Sequence, residues 1–175
     1  MMRSVPGRYA AALVAASISL VAALPAQAGP AMDADVPVVI PQMSIRGIQL
    51  GMDSVRVNEL LSAKPDSATT EAHPIVERTK TVTWGGLRVV YDGVKSGARV
   101  ISVSTTSRLD RTIRGVGVGS IEATVRKRVA GVSCKTEYGY RRCSIGKKLA
   151  GEAVTDFSIS RKGRVSRISL SRVVD

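Results

Sequence analysis

The chain has 175 residues, 26 Lys and Arg against 14 Asp and Glu, and a formal net charge of +12. Two cysteines and one histidine are too few ligands for a structural metal centre, and six aromatic residues leave no aromatic-studded basic strand for nucleic acid. The positive balance points to other anionic partners: acidic proteins, or anionic polymers and lipids of a cell envelope.

Residues 1–28 read as an export signal. Arg3 and Arg8 give a positive leader, Ala10 to Leu24 is apolar, Pro25 breaks the run, and Ala26-Gln27-Ala28 is a small-x-small cleavage site. The apolar run, about 15 residues, is short of the roughly 20 that span a bilayer. The expected mature chain starts at Gly29 and is secreted or periplasmic. It keeps 147 residues, 24 of them basic and 14 acidic, enough for one domain or two small ones. No transmembrane segment is expected in it. Residues 29–44 form a Pro-rich leader or linker, in which Pro30, Pro37 and Pro41 prevent a helix, with an edge strand over 36–40.

A short motif then recurs. Ile45-Arg46-Gly47-Ile48-Gln49-Leu50-Gly51 returns 68 positions later as Ile113-Arg114-Gly115-Val116-Gly117-Val118-Gly119, with four of seven residues identical. Each copy leads into a helical pattern. In the first, Asp53 or Ser54 caps the helix, Val57, Leu60 and Leu61 form its stripe, and Pro65 stops it. In the second, Ser120 caps, Val125 and Val129 repeat the stripe, and Gly131 ends it. Period-2 strands follow: Val82 and Trp84, Leu87-Val89-Tyr91, then Val100 and Val103. The second set is Val154, Phe157 and Ile159, then Val165, Ile168 and Leu170. Trp84 is expected in the core. The pattern predicts an α+β fold of two tandem repeats, 45–112 and 113–175. Each would pack one or two short helices on a small antiparallel sheet, the sheets joined edge to edge.

Gly51-Met52-Asp53, Val57, Leu61 and Pro65 resemble the SmpA/BamE family of small outer-membrane lipoproteins, whose helix opens with Gly-Met-Thr and closes with Leu-Gly-x-Pro. Asp53 stands where that family has its capping Thr, and Ser62 where it has Gly. A tandem arrangement of such units is similar to the secreted β-lactamase inhibitory proteins. The resemblance implies a scaffold that binds another protein through a sheet face or loops. The chain lacks a lipid-acceptor cysteine after Ala28, so membrane anchoring is not implied.

Cys134 and Cys143 are expected to pair, since both survive into an oxidising compartment. Between them lie Tyr138, Tyr140, Arg141 and Arg142, with Lys147 and Lys148 just beyond. Tyr and Arg dominate interface hot spots, and a closed loop loses less freedom on binding. These six side chains are the predicted partner-binding residues. Residues 113–175 hold 14 basic and 5 acidic residues, against 10 and 7 in 45–112, so positive charge gathers around this loop. Gly115-Val116-Gly117-Val118-Gly119 lacks the Gly-Lys-Ser/Thr of a phosphate loop, and its glycines are assigned to backbone geometry. Asp110, between Arg108 and Arg111, reads as a surface salt-bridge cluster. His73 sits in a polar loop, 66–79, with no G-x-S-x-G elbow elsewhere. No catalytic, cofactor or metal residue is assigned. The expected function is non-enzymatic protein binding, inhibition included, through a sheet face and the basic disulfide loop; electrostatic binding to anionic envelope polymers or lipids is the first alternative, and a hydrolase using His73 the second.

Overall fold

Alternating side chains along residues 78–105 and 140–172 make strands, the dominant element among the described residues. A computed structural model describes residues 38–72 and 78–173. The export signal, leader residues 29–37 and His73 lie outside the described residues.

In chain order the elements are β1 (Val39–Ile40), β2 (Ser44–Ile45), α1 (Ser54–Leu61), β3 (Ser67–Ala72), β4 (Arg78–Trp84), β5 (Leu87–Tyr91) and β6 (Val100–Thr105). They continue as α2 (Glu122–Arg128), β7 (Ser133–Glu137), β8 (Tyr140–Ile145), β9 (Ala153–Ile159) and β10 (Val165–Arg172). β1 and β2 pair alone. The other eight strands form one sheet in the order β3-β4-β5-β6-β10-β9-β8-β7, antiparallel throughout.

The expected α+β class with two repeat sheets is overturned. The described residues are 47% strand and 11% helical, with one eight-stranded antiparallel sheet, a two-stranded one and two short helices. The physical reason lies in helix length. Helices of eight and seven residues are too short to make a layer of their own; each buries one residue, Val57 or Val125. Asp53 caps α1 by accepting from the Arg56 amide at 2.9 Å, as expected. Ser120 does not cap α2; its hydroxyl accepts from the Gly117 amide instead.

The two recurring heptads meet different surroundings at their first residue: Ile45 is buried and Ile113 is 79% exposed. What they share is local. The Gly51 amide donates to Val100 O at 2.7 Å, and the Gly119 amide donates to Val165 O at 2.8 Å. Both glycines have positive φ, 81° and 92°, a backbone that other residues adopt at a cost. This clamp fixes the start of β6 and of β10. It does not restore an α+β repeat.

Strand register decides which face each side chain takes, because successive residues alternate across a sheet. One cross-strand row runs Trp84, Leu87, Thr105, Ile168, Phe157, Cys143, Cys134. This face is covered. Trp84 Nε1 donates to Ala63 O just beyond α1 at 3.1 Å. The Gln42 amide, in the β1–β2 turn, donates to Thr155 Oγ1 at 2.7 Å. α2 is tied to Arg141 of β8. Val39, Ile45, Ile48, Val57, Val116 and Val125 pack onto the same core. Trp84 is a core residue, as expected.

The adjacent row points to the opposite face. It runs Ser67, Thr83, Arg88, Ser104, Ser169, Asp156, Ser144, Ser133, one residue from each strand. At the usual strand spacing it crosses about 34 Å. A second row on this face runs Thr69, Thr81, Val90, Ser102, Ser171, Val154. Both described helices and the β1–β2 hairpin bond to the other side, so among the described residues no helix or hairpin covers this hydroxyl-rich face, the open one, although Thr81 and Val154 on it are buried.

Candidate functional site

The segment expected as a closed loop is a β-hairpin. β7 and β8 pair in register, with Cys134 directly opposite Cys143, and the two form a disulfide of 2.03 Å. Tyr138 and Gly139 turn the chain with φ of 51° and 78°, the left-handed pair that a two-residue hairpin needs. The disulfide lies on the covered face and ties edge strand β7 to the sheet.

Register separates neighbouring side chains that the sequence presents as one cluster. Arg141 turns to the covered face. Its Nη2 and Nε donate to the two carboxylate oxygens of Glu122 at 2.6 and 3.0 Å, a forked pair of charge-assisted bonds. Arg126 adds a third at 2.9 Å. The Arg141 hydrogen bond foremost, with Arg126 behind it, holds the Glu122 carboxyl down to about 2. Glu122 in turn raises the Arg141 guanidinium. Arg141 is therefore a fastener between α2 and β8.

Tyr140 and Arg142 take the open face. Tyr140 is 69% exposed, and Tyr138, at the hairpin tip, 97%. Arg142 Nη1 lies 3.7 Å from Asp156, whose carboxylate also accepts from the Ser144 hydroxyl. A cleft of about 410 Å³ brings Tyr140 and Arg142 together with Ser158, Ser160 and Arg161. A second hollow, of about 270 Å³, joins Arg142 to Lys135 and Lys148. Lys148 Nζ pairs with Glu137 at 2.7 Å, which lowers the Glu137 carboxyl. Lys147 lies exposed in the β8–β9 loop and lines neither cleft. Of the six predicted residues, the fold gathers Tyr140, Arg142 and Lys148 at one corner of the open face. Tyr138 stands at the tip and Arg141 faces away.

No family model matches the chain. No curated protein and no solved structure matches it either. Nothing in these comparisons bears on the resemblance to SmpA/BamE proteins, and the site stands on its geometry.

That geometry adds residues outside the predicted six. Lys135 and Arg161 reach the corner through register and turn placement, and the open-face serines were uninformative one by one because serine is common in the chain. Glu122 and the two cysteines bring ligand atoms within 4.8 Å of one another, but the sulfurs are bonded together and the carboxylate is held by two arginines. No helix among the described residues is long and apolar enough to cross a membrane. The disulfide is compatible with an extracytoplasmic protein. Asp110, expected in a surface cluster with Arg108 and Arg111, is buried and bonded to Arg46.

Proposed function

We propose that the protein is a secreted or periplasmic, non-enzymatic binding protein that holds an acidic partner protein against the open sheet face. Tyr138, Tyr140 and Arg142 are its anchors. The observation that carries this reading is the corner cleft, where an exposed Tyr and two arginines open onto a broad hydroxyl-rich face. Ser and Thr side chains have little rotamer freedom to lose and offer both donors and acceptors. The hairpin is fastened twice, by its disulfide and by Arg141 with Glu122, which lowers the ordering cost on binding. A partner enzyme whose site met this face would be inhibited.

The test is recovery of partners from native envelope extract or culture supernatant. Tyr138→Ala/Tyr140→Ala/Arg142→Ala lowers recovery about tenfold or more, as loss of hot-spot residues does. Lys147→Ala has little effect. Undiminished recovery by the triple variant rules the reading out.

The convergence of Lys135, Arg142 and Lys148 supports a second reading, capture of an anionic envelope polymer. The two separate by salt. Polymer binding collapses between low and moderate ionic strength, while a shaped protein interface loses much less.

A further inference from the structure

The segment joining β6 to α2 has its polarity reversed. Along residues 109–113, Asp110 and Thr112 are buried, at 3% and 7% exposure, while Leu109 and Ile113 stand out at 85% and 79%. Arg111, between them, is exposed as well. Leu109 and Ile113 sit in the turns on either side of Arg111, and all three are exposed. Arg111 forms an isolated antiparallel bridge with Gly117. Single exposed aliphatics are ordinary on a surface; two on one strap, with the polar residues turned inward, are not.

Charge surrounds them. Arg108, Arg111 and Arg164 line one hollow of about 390 Å³. Arg111 Nη1 is held by Gly115 O at 2.9 Å, and Arg164 Nη1 by Gly119 O at 2.9 Å. Each keeps further N–H donors for a ligand. Among the described residues none of these three arginines forms an ion pair. The one acid within the strap, Asp110, is already occupied by Arg46.

We infer that this strap docks on the surface of an anionic phospholipid bilayer. Arg108, Arg111 and Arg164 take lipid phosphates, and Leu109 and Ile113 enter the boundary between headgroups and acyl chains. A bilayer suits the shape: the aliphatic side chains protrude and need a medium that yields around them. It also suits the charge, since arginines near an anionic leaflet add attraction residue by residue. The inference stands apart from the sheet-face reading, because the strap belongs to the covering layer and not to the open face.

The test is co-sedimentation of the exported protein, its N-terminus read by mass spectrometry, with vesicles of phosphatidylcholine alone or with phosphatidylglycerol. Binding is expected to the anionic vesicles and to fall with salt. Leu109→Ser/Ile113→Ser, both exposed sites, lowers partitioning roughly fivefold or more, and Arg108→Ala/Arg111→Ala/Arg164→Ala about tenfold or more. Tyr138→Ala/Tyr140→Ala/Arg142→Ala binds vesicles like the parent, which separates this result from failure of the sheet-face reading. Circular dichroism melts check that each variant is folded. The inference is overturned if the parent does not sediment with anionic vesicles at low salt. It is equally overturned if Leu109→Ser/Ile113→Ser binds as the parent does, since the arginines would then be a site for polyanions in general.

Discussion

Arg46 Nε lies 3.0 Å from both carboxylate oxygens of Asp110, 64 residues further along the chain. The same carboxylate accepts from the Thr105 hydroxyl at the end of β6. One buried acid thus joins the end of the β1–β2 hairpin to the central sheet and to the strap before α2. Asp110→Ala leaves the Thr105 hydroxyl and the Arg46 guanidinium without their acceptor. Removing one member of such a pair is costly, because its partners stay desolvated. Arg46 is partly exposed and can turn to water, so we expect about 2–4 kcal/mol, seen as a Tm lowered by roughly 5–15 °C. A Tm within about 2 °C of the parent contradicts this.

Reduction should loosen the hairpin before the sheet. The Cys134–Cys143 ring closes only ten residues, for which chain entropy gives about 2.5 kcal/mol. β7 is an edge strand hydrogen-bonded to β8 alone. After reduction, hydrogen exchange at Ser133–Glu137 accelerates while exchange in β5, β6 and β10 does not. Unchanged protection across β7 would show that the bond adds nothing there.

Acid should weaken the α2–β8 junction through Glu122. Its folded carboxyl titrates at about 2, below its ordinary 4.5. Its contribution is therefore complete above pH 4.5 and is lost as pH falls from there toward 2. Glu122→Gln is less stable than the parent at pH 7. The gap between them closes over that acid window, which denaturant midpoints at a series of pH values will record. A gap independent of pH means the carboxylate is not the fastener.

Gly117 is fixed by close approach. A Cβ there would lie 2.6 Å from Asp110 O and 2.8 Å from Arg111 Cγ, and the first of these is backbone. Overpacking of this kind typically costs about 1–3 kcal/mol. Gly117→Ala should show that loss in denaturant unfolding, together with weaker vesicle binding, since the strap must shift. Normal stability in this variant contradicts the packing.

The sequence made the buried strands legible where apolar residues alternate, as in Leu87-Val89-Tyr91 and in Val165, Ile168 and Leu170. It hid β3, whose six residues Ser67–Ala72 are all exposed and so carry no hydrophobic period. It hid β7 and β8, in which Cys143 alone is buried, and counting these three as loop is what led to the α+β class. The start of α1 was readable from Asp53 and the existence of α2 from Val125; the start of α2 and the shortness of both were not. At the site, residue type found Tyr140 and Arg142, but only register tells Arg142 from Arg141. The hydroxyl row joins strands from Ser67 to Ser169, and no local pattern announces it. Asp110 was misjudged because its neighbours in sequence, Arg108 and Arg111, are not its partners in space.

Site-specific photo-crosslinking in the native cell envelope bears most directly on the binding face. Benzoylphenylalanine at Ser104 or Ser169, in the middle of the hydroxyl row, or at Tyr140, should give one discrete adduct on illumination, identifiable by mass spectrometry. The same probe at Arg56, exposed on α1 over the opposite side, should give none. Adducts from Arg56 with silence at Ser104, Ser169 and Tyr140 would put the partner on the wrong side of the sheet.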